Sequence, residues 1–253
     1  MKKDVQEEVI IRPKNCPICK RATIYASNIV EDNNVSQGCI WYKCSCGIIF
    51  QSECPERIIK DRKYIDNHLA IKEYDDVSIH APRTYGNFIE EMTYGRKMLD
   101  VGFCTDNVMN FMKKRGWITF GIDNNESIQE SDRIIKDDFE NTNRLYEKTY
   151  DLVWMSFVLE KFKDPLKALM IAKEILQEDG VLYIATPDID FLYNRPYAWP
   201  HWNRKENYIL WSIRALEREL QKMGFEVKLK QRNFASRFGY DHNIHMIAQK
   251  VYY

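Results

Sequence analysis

From residue 97 onward, short apolar runs alternate with segments in which apolar residues recur every three or four positions. The short runs predict buried strands, and the wider spacing predicts amphipathic helices. The predicted strands cover residues 98–103, 117–122, 134–135, 152–157, 181–185, 225–229 and 244–251. The predicted helices cover residues 107–115, 164–176 and 206–223. Asp164 and Pro165 are typical capping and first-turn residues for the second of these helices.

The order of these elements predicts the fold class. Strands that alternate with helices form a parallel sheet, because each crossover returns the chain in the same direction. The last two predicted strands are separated by a loop alone, which predicts an antiparallel pair. We therefore expect an α/β fold with a doubly wound, mostly parallel seven-stranded sheet and a terminal antiparallel hairpin.

Two segments that precede this sheet differ from it in composition. Residues 1–56 are rich in cysteine and turn-forming residues, and residues 57–96 are charged and rich in tyrosine. Helical spacing of Tyr85, Ile89 and Met92 predicts a helical linker or cap in the second segment. The expected division is a small module at 1–56, a linker at 57–96 and the main domain at 97–253.

Six of the seven cysteines lie in the first segment, which is unlike a disulfide framework spread over a domain and is typical of metal binding. Cys16 with Cys19, and Cys44 with Cys46, form two close pairs that could complete a tetrahedral zinc shell. The pattern resembles a rubredoxin-like zinc ribbon, although the second pair has one intervening residue instead of two. Cys39 or Cys54 could replace one ligand, and a group of reduced free thiols is the alternative. Four sulfur ligands leave no open position, so we expect a structural Zn²⁺.

Composition and charge narrow the classes of function. The 253-residue chain has a formal net charge of zero, so no global field attracts it to nucleic acid or to an anionic membrane. Residues 204–237 are locally basic, which we interpret as a solvated helix face and strand, with an anionic substrate or RNA as the alternative. Without an apolar run of membrane length or a signal peptide, a cytoplasmic protein that makes no membrane contact is expected.

A candidate nucleoside site lies at the ends of the first two predicted strands of the main domain. Gly102 follows the first strand, where a glycine lets a ligand approach the backbone closely. Asp123 ends the second strand, about 20 residues later, where a carboxylate commonly accepts the two hydroxyl hydrogens of a ribose. In doubly wound sheets, ligands bind beyond the carboxyl ends of the strands.

The main domain resembles the class I S-adenosylmethionine-dependent methyltransferases, which have a Rossmann-like fold. The resemblance rests on residues 151–160, 175–182 and 186–188 and on the Gly-Phe-Glu-Val run from Gly224. It implies that S-adenosylmethionine (SAM) is the cofactor. It also implies a set of cofactor-binding residues: Asp100, Gly102, Phe103, Asp123, Asp138, Phe139, Met155 and Ser156. For Asp138 the alternative is a solvated loop carboxylate, and for Met155 it is core packing.

Three residues depart from the family pattern. Cys104 and Asp106 stand where the family usually has glycines, and Lys161 stands where it commonly has a histidine. A side chain at position 104 or 106 could resist a left-handed backbone conformation.

Candidate acceptor-binding residues follow the fifth strand, where aromatic residues are concentrated around His201. His201 is the candidate general base, because its reference pKa of about 6.5 suits proton removal at neutral pH. The predicted function is methyl transfer from SAM to a small-molecule acceptor, such as a sugar or related metabolite. The alternatives are methylation of an RNA base, with the zinc module holding RNA, and a catalytically silent binding protein. The oligomeric state does not follow from these patterns.

Overall fold

The computed structural model describes residues 14–23, 41–51, 79–145, 149–192, 207–236 and 239–251. The seven strands of its main sheet are β5 Lys97–Val101, β6 Ile118–Asp123, β7 Ile134–Lys136, β8 Tyr150–Ser156, β9 Leu176–Pro187, β11 Phe225–Ser236 and β12 Gly239–Lys250. They lie in the order β11-β12-β9-β8-β5-β6-β7. The strands from β5 to β9 pair in parallel, and β12 pairs antiparallel with both β9 and β11. The predicted α/β fold class is confirmed.

Helices cover both faces of the sheet. Their bounds are α1 His80–Met92, α2 Asn107–Lys114, α3 Pro165–Ile175, α4 Ile189–Leu192 and α5 Ile213–Lys222, with a 3₁₀ helix at Leu159–Lys161. On one face, Tyr85 and Ile89 of α1 pack with Trp154 and Tyr183 of the sheet. On the other face, the apolar residues of α3 and α5 share a core cluster with β5, β8 and β9. No helix in the described part of the chain is long and apolar enough to cross a membrane.

A second, three-stranded sheet carries two of the cysteines at its end. Its strands are β3 Trp41–Cys44, β4 Ile48–Gln51 and β10 Ile209–Trp211, in the order β10-β4-β3. Two shorter strands, β1 Lys14–Asn15 and β2 Ala22–Thr23, pair beside the first cysteine pair. In sequence, β10 lies between strands β9 and β11 of the main sheet, whereas its partner β4 lies near the start of the chain. The second sheet is therefore built from two separate parts of the chain.

The predicted helix at 206–223 is wrong over its first part. Ile209–Trp211 is a strand, and the helix starts only after Ser212, whose hydroxyl accepts a hydrogen bond from the Ala215 amide at 3.2 Å. The physical reason is tertiary pairing, because these three apolar residues are fully buried against β4. A run of three apolar residues is compatible with either a helix or a strand, and here the pairing with β4 favours the strand.

Candidate cofactor site and cysteine cluster

The carboxyl ends of the parallel strands meet along one edge of the main sheet. Val101 of β5 pairs with Ile122 of β6 and with Met155 of β8. The next residue, Gly102, donates its amide hydrogen to the Ile122 carbonyl at 2.8 Å. The loops that follow β5 and β6 are therefore joined at their start, as a ligand bound across both loops requires.

The Asp123 carboxylate is held between those two loops. Its Oδ2 accepts the Cys104 amide hydrogen at 3.3 Å, and its Oδ1 accepts the Asn125 amide hydrogen at 2.9 Å. Asp123 is buried, with 6% of its surface exposed. A carboxylate has about four lone-pair positions, so two amide contacts leave acceptor capacity for a pair of ligand hydroxyls.

The turn after β5 contains two left-handed residues, Gly102 with φ of 70° and Cys104 with φ of 50°. A Cβ atom at Gly102 would lie 2.7 Å from Cγ2 of Val158, so only glycine fits this approach of the loop after β8. Asp106 has an ordinary φ of −75° and precedes α2. Of the two residues in this turn that depart from the family pattern, Cys104 has a strained left-handed conformation and Asp106 has an ordinary one.

Four of the predicted cofactor-binding residues are packed against the protein itself. Asp100 and Met155 lie inside β5 and β8 and are 3% and 0% exposed, and Met155 belongs to the core cluster. The Phe103 ring covers Gly121, whose added Cβ would approach it to 2.8 Å. Phe139 is buried with its ring 5.8 Å from that of Phe162.

The remaining two predicted residues, Ser156 and Asp138, are partly exposed. Ser156 ends β8 at the same edge of the sheet. The Asp138 carboxylate accepts hydrogen bonds from the Glu140 amide and the Asn141 side chain, both at 3.1 Å. The neighbouring Asp137 amide donates to the Asp123 carbonyl at 3.1 Å, which brings the loop after β7 to Asp123.

The four predicted zinc ligands form one cluster. The Sγ atoms of Cys16 and Cys46 are 3.6 Å apart, those of Cys19 and Cys44 are 3.4 Å apart, and all four lie within 4.8 Å of one another. A tetrahedron with Zn–S bonds of about 2.3 Å has sulfur separations of about 3.8 Å, so the spacing fits this ion. Cys39 and Cys54, the alternative ligands, lie outside the described residues.

Amide hydrogens point at the sulfur atoms of the cluster. The Ile18 and Cys19 amides both donate to Cys16 Sγ at 3.4 Å, and the Cys46 amide donates to Cys44 Sγ at 3.5 Å. The side-chain hydrogen bond with Cys46, together with the Ile18 and Cys19 amides, lowers the pKa of the Cys16 thiol to about 5. Such donors stabilise thiolate charge, which is the protonation state that metal binding needs.

Comparison with known proteins places this geometry in a family. A family model described as a methyltransferase domain matches residues 63–230, which is more than half of the chain. The chain belongs to the methyltransferase domain family. The strand edge described above lies within the matched region.

Individual relatives of the methyltransferase are distant. A ubiquinone biosynthesis O-methyltransferase from Actinobacillus pleuropneumoniae is 28% identical over 108 residues, which are 37% of this chain and 46% of that relative. The match therefore spans less than half of the relative's length.

Solved structures share the fold at low identity. The plantazolicin methyltransferase BpumL, solved with a monoazolic desmethylPZN analogue and S-adenosylhomocysteine (SAH), has a TM-score of 0.58 at 15% identity, covering 75% of this chain and 90% of its own. A SAM-dependent methyltransferase from Thermotoga maritima has a TM-score of 0.55 at 19% identity, covering 74% and 98%. A Burkholderia thailandensis 1,6-didemethyltoxoflavin-N1-methyltransferase has a TM-score of 0.51 at 12% identity, covering 84% and 99%.

Sequence reasoning missed two residues at the edge of the methyltransferase. Asn125 supplies one of the two amides on Asp123. Asp188 follows β9, and burial raises the pKa of its carboxyl to about 6, although Arg232 Nε lies 3.0 Å from Oδ2. Asp188 belongs to the run 186–188 that carries the family resemblance, but the resemblance assigned it no role. His201, the predicted base, lies outside the described residues and stays a prediction.

Within residues 207–236, the described part of the basic stretch, most basic side chains form ion pairs. Arg218 and Lys222 both pair with Glu219, at 2.9 and 3.0 Å, and Lys230 pairs with Glu217 at 2.7 Å. Further pairs join Lys228 to Glu226 and Arg232 to Asp188. RNA phosphates would have to compete with these carboxylates for the same side chains.

Proposed function

We propose that this methyltransferase transfers the methyl group of SAM to a small-molecule acceptor, such as a sugar or related metabolite. The observation that carries the proposal is the Asp123 carboxylate, fixed between two loops by the Cys104 and Asn125 amides at the carboxyl edge. Bound SAM supplies an electrophilic methyl group on a sulfonium. The contribution of the chain is to hold and orient the two reactants, which lowers the barrier of such displacements.

We assign the parts of the edge to parts of the cofactor. Asp123 would hold the ribose hydroxyls, and Asp138 with the Phe139 backbone would lie at the adenine. Gly102 would allow the methionine portion to approach the turn, beside Asp100 and Ser156. The buried Met155 and the half-buried Phe103 ring would form the floor of the site, since both pack against the sheet.

A small acceptor is favoured over RNA by two kinds of observation. The named relative is a ubiquinone biosynthesis O-methyltransferase, and BpumL was solved with the monoazolic desmethylPZN analogue. The basic stretch that could have bound RNA forms ion pairs with neighbouring acidic residues.

We further propose that Cys16, Cys19, Cys44 and Cys46 bind one structural Zn²⁺. The sulfur separations fit a tetrahedral shell, and amide donors surround the sulfur atoms. Strands of two and four residues bury little surface alone, so the metal would supply much of the folding free energy of this segment.

Isothermal titration calorimetry with SAM and SAH tests the cofactor assignment. The wild type is expected to bind both, and Asp123→Ala should bind SAH about 100-fold more weakly, because hydrogen bonds to a charged group contribute about 1.5–3 kcal/mol each. Asp132→Ala is the matched control, since Asp132 is an exposed carboxylate in the same β6–β7 connection. Equal SAH affinity in Asp123→Ala and wild type would contradict the placement of the ribose.

Transfer of a radiolabelled methyl group from SAM into a cell extract tests the acceptor class. The extract is separated into a low-molecular-weight fraction and an RNA fraction, and label is counted in each after incubation with wild type or Asp123→Ala. We expect wild-type-dependent label in the small-molecule fraction. Label that enters only RNA would overturn the proposed acceptor class and leave the cofactor assignment intact.

A further inference from the structure

The strand β10 joins the cysteine-bearing sheet to the catalytic core. It pairs antiparallel with β4, with Ile209 opposite Phe50 and Trp211 opposite Ile48. The Gln51 amide also donates to the Tyr208 carbonyl at 2.9 Å, and its side chain donates to the Asn207 carbonyl at 2.6 Å. The cysteine sheet therefore holds this stretch of the core along its whole length.

The same stretch is fastened to the ends of two strands of the main sheet. Trp211 forms a parallel bridge with Asp188, which directly follows β9. The Tyr208 amide donates to the carbonyl of Glu160 at 2.7 Å, in the 3₁₀ helix that follows β8. The buried Glu160 carboxylate in turn accepts the Thr186 hydroxyl hydrogen at 3.0 Å. Movement of β10 would therefore shift both segments.

The second cysteine pair contacts the end of β10 directly. The Ser212 amide donates to the Gly47 carbonyl, and Arg218 Nη1 donates to the Cys46 carbonyl, both at 3.0 Å. A Cβ atom at Gly47 would lie 2.7 Å from the Ser212 hydroxyl oxygen. The Cys44–Gly47 turn is therefore in direct contact with the residues at which β10 ends and α5 begins.

We propose that the cysteine cluster positions the acceptor half of the active-site edge through β10. The acceptor half comprises residues 157–161 and 186–190, and the cofactor half comprises residues 102–106 and 123–125. This inference rests on the proposed placement of the cofactor over β5 and β6 and on the proposed metal. The amides that hold Asp123 belong to the cofactor half itself, so cofactor binding does not depend on the cluster.

The metal matters because it fixes the geometry of two short turns. The four sulfur atoms lie within 4.8 Å of one another, so a bound metal would join the Cys16–Cys19 turn to the Cys44–Gly47 turn through metal–sulfur bonds. Without it, the Cys16–Cys19 and Cys44–Gly47 turns separate, and the Cys46 and Gly47 carbonyls leave their partners on α5 and at Ser212.

Hydrogen–deuterium exchange on the whole protein, before and after zinc is stripped with a chelator, tests this coupling. We expect exchange in residues 157–161, 186–190 and 207–213 to rise at least tenfold on stripping. Exchange in residues 98–106 and 118–125 should change less than threefold, and the Kd for SAH by calorimetry should change less than threefold. Unchanged exchange at 207–213, or loss of SAH binding on stripping, would overturn the inference.

A pair of glycine variants tests the same coupling without removing metal. Gly47 and Gly116 have similar left-handed φ angles of 93° and 89°, so an alanine strains the backbone equally at each. Only Gly47 has a neighbour in the way, because nothing lies within 4 Å of a Cβ atom at Gly116. Gly47→Ala is expected to raise exchange at 207–213 at least tenfold while Gly116→Ala leaves it within threefold of wild type.

Metal analysis separates the two proposals. A purified protein without zinc would refute the metal assignment, and the glycine pair would still decide whether the turn positions β10. Should Gly47→Ala fail to fold, Arg218→Met removes the donor to the Cys46 carbonyl and keeps most of the apolar stem. Exchange at 207–213 that matches wild type in Arg218→Met would then overturn the inference.

Discussion

The two halves of the active-site edge are held by contacts of very different range. In the cofactor half, Asp123 is held by amides only 2 and 19 residues away in sequence. In the acceptor half, Glu160 accepts hydrogen bonds from Thr186, 26 residues away, and from the Tyr208 amide. The stretch that carries Tyr208 is in turn held by the hydrogen bond between Gln51 and Asn207, across 156 residues. The first half is built by neighbouring loops, whereas the second depends on the completed fold.

This difference has a consequence for stability. Contacts between distant parts of a chain form only when both parts are folded, whereas a loop closed by near neighbours can survive partial opening elsewhere. Damage to the cysteine sheet should therefore reach the acceptor half first. A cofactor half that opens together with the acceptor half would break the comparison.

The largest effect is expected from removing two ligands of the cysteine cluster. Cys16→Ser/Cys19→Ser should lose its zinc and lower the free energy of unfolding by more than about 4 kcal/mol, because metal binding is coupled to folding. Metal analysis and denaturant unfolding measure the two effects. Cys104→Ser is the control, since Cys104 lies outside the cluster. Full zinc content in the double variant would contradict the ligand set.

A smaller loss is expected when Thr186→Val removes the hydroxyl that donates to Glu160. The Glu160 carboxyl group is buried, and a buried acceptor that loses a donor costs about 1–3 kcal/mol. Denaturant unfolding measures the loss, and calorimetry with SAH should show nearly wild-type affinity. An SAH affinity reduced tenfold or more would show that the two halves are not independent.

Asp188 gives the acceptor half a pH dependence. Its pKa is raised by burial to about 6, above its ordinary value of 3.8, so the native state binds the proton more tightly than the unfolded chain. The free energy of unfolding should therefore fall by about 2 kcal/mol as the pH rises from 4 to 7, because each pKa unit is worth about 1.4 kcal/mol.

The Asp188→Asn variant removes this titration while keeping a side chain that can accept from Arg232. Thermal unfolding measured between pH 4 and 7 should show a flatter slope than wild type. Identical slopes in the two proteins would mean that Asp188 is ionised throughout this range.

The smallest effect is expected in the cofactor half. Cys104→Gly relieves a left-handed conformation that costs a non-glycine residue about 1 kcal/mol, so the variant should be more stable by roughly that amount. The more flexible glycine of the unfolded chain offsets part of the gain. Thermal unfolding checks the prediction, and a destabilised variant would show that the Cys104 side chain packs favourably.

The seven strands and the cysteine cluster were predictable because their signals are local. An apolar run bounded by glycine or aspartate marks a strand such as β6, and two close cysteine pairs mark a metal site. The assignments of Asp138 and Phe139 to the adenine rest on the family resemblance and remain predictions. The structure adds that Phe139 packs on Phe162, so its side chain has a core role in any case.

Two features could not be predicted from the sequence. The strand Ile209–Trp211 has a residue pattern that also suits a helix, and its partner Ile48–Gln51 is far away from it in the sequence. The sequence marks positions 104 and 106 alike, and only the structure shows that Cys104, whose amide donates to Asp123, is the left-handed residue. In both cases the deciding interaction joins residues whose proximity the pattern does not encode.

The shared strand also limits how this protein can be divided. A shortened chain that starts at residue 57 would lack β4, and β10 would present a bare row of apolar side chains and open backbone groups to water. Such an unpaired strand is a template for association with other copies. The cysteine segment therefore completes the interior of the main domain, and it cannot be removed or exchanged without exposing β10.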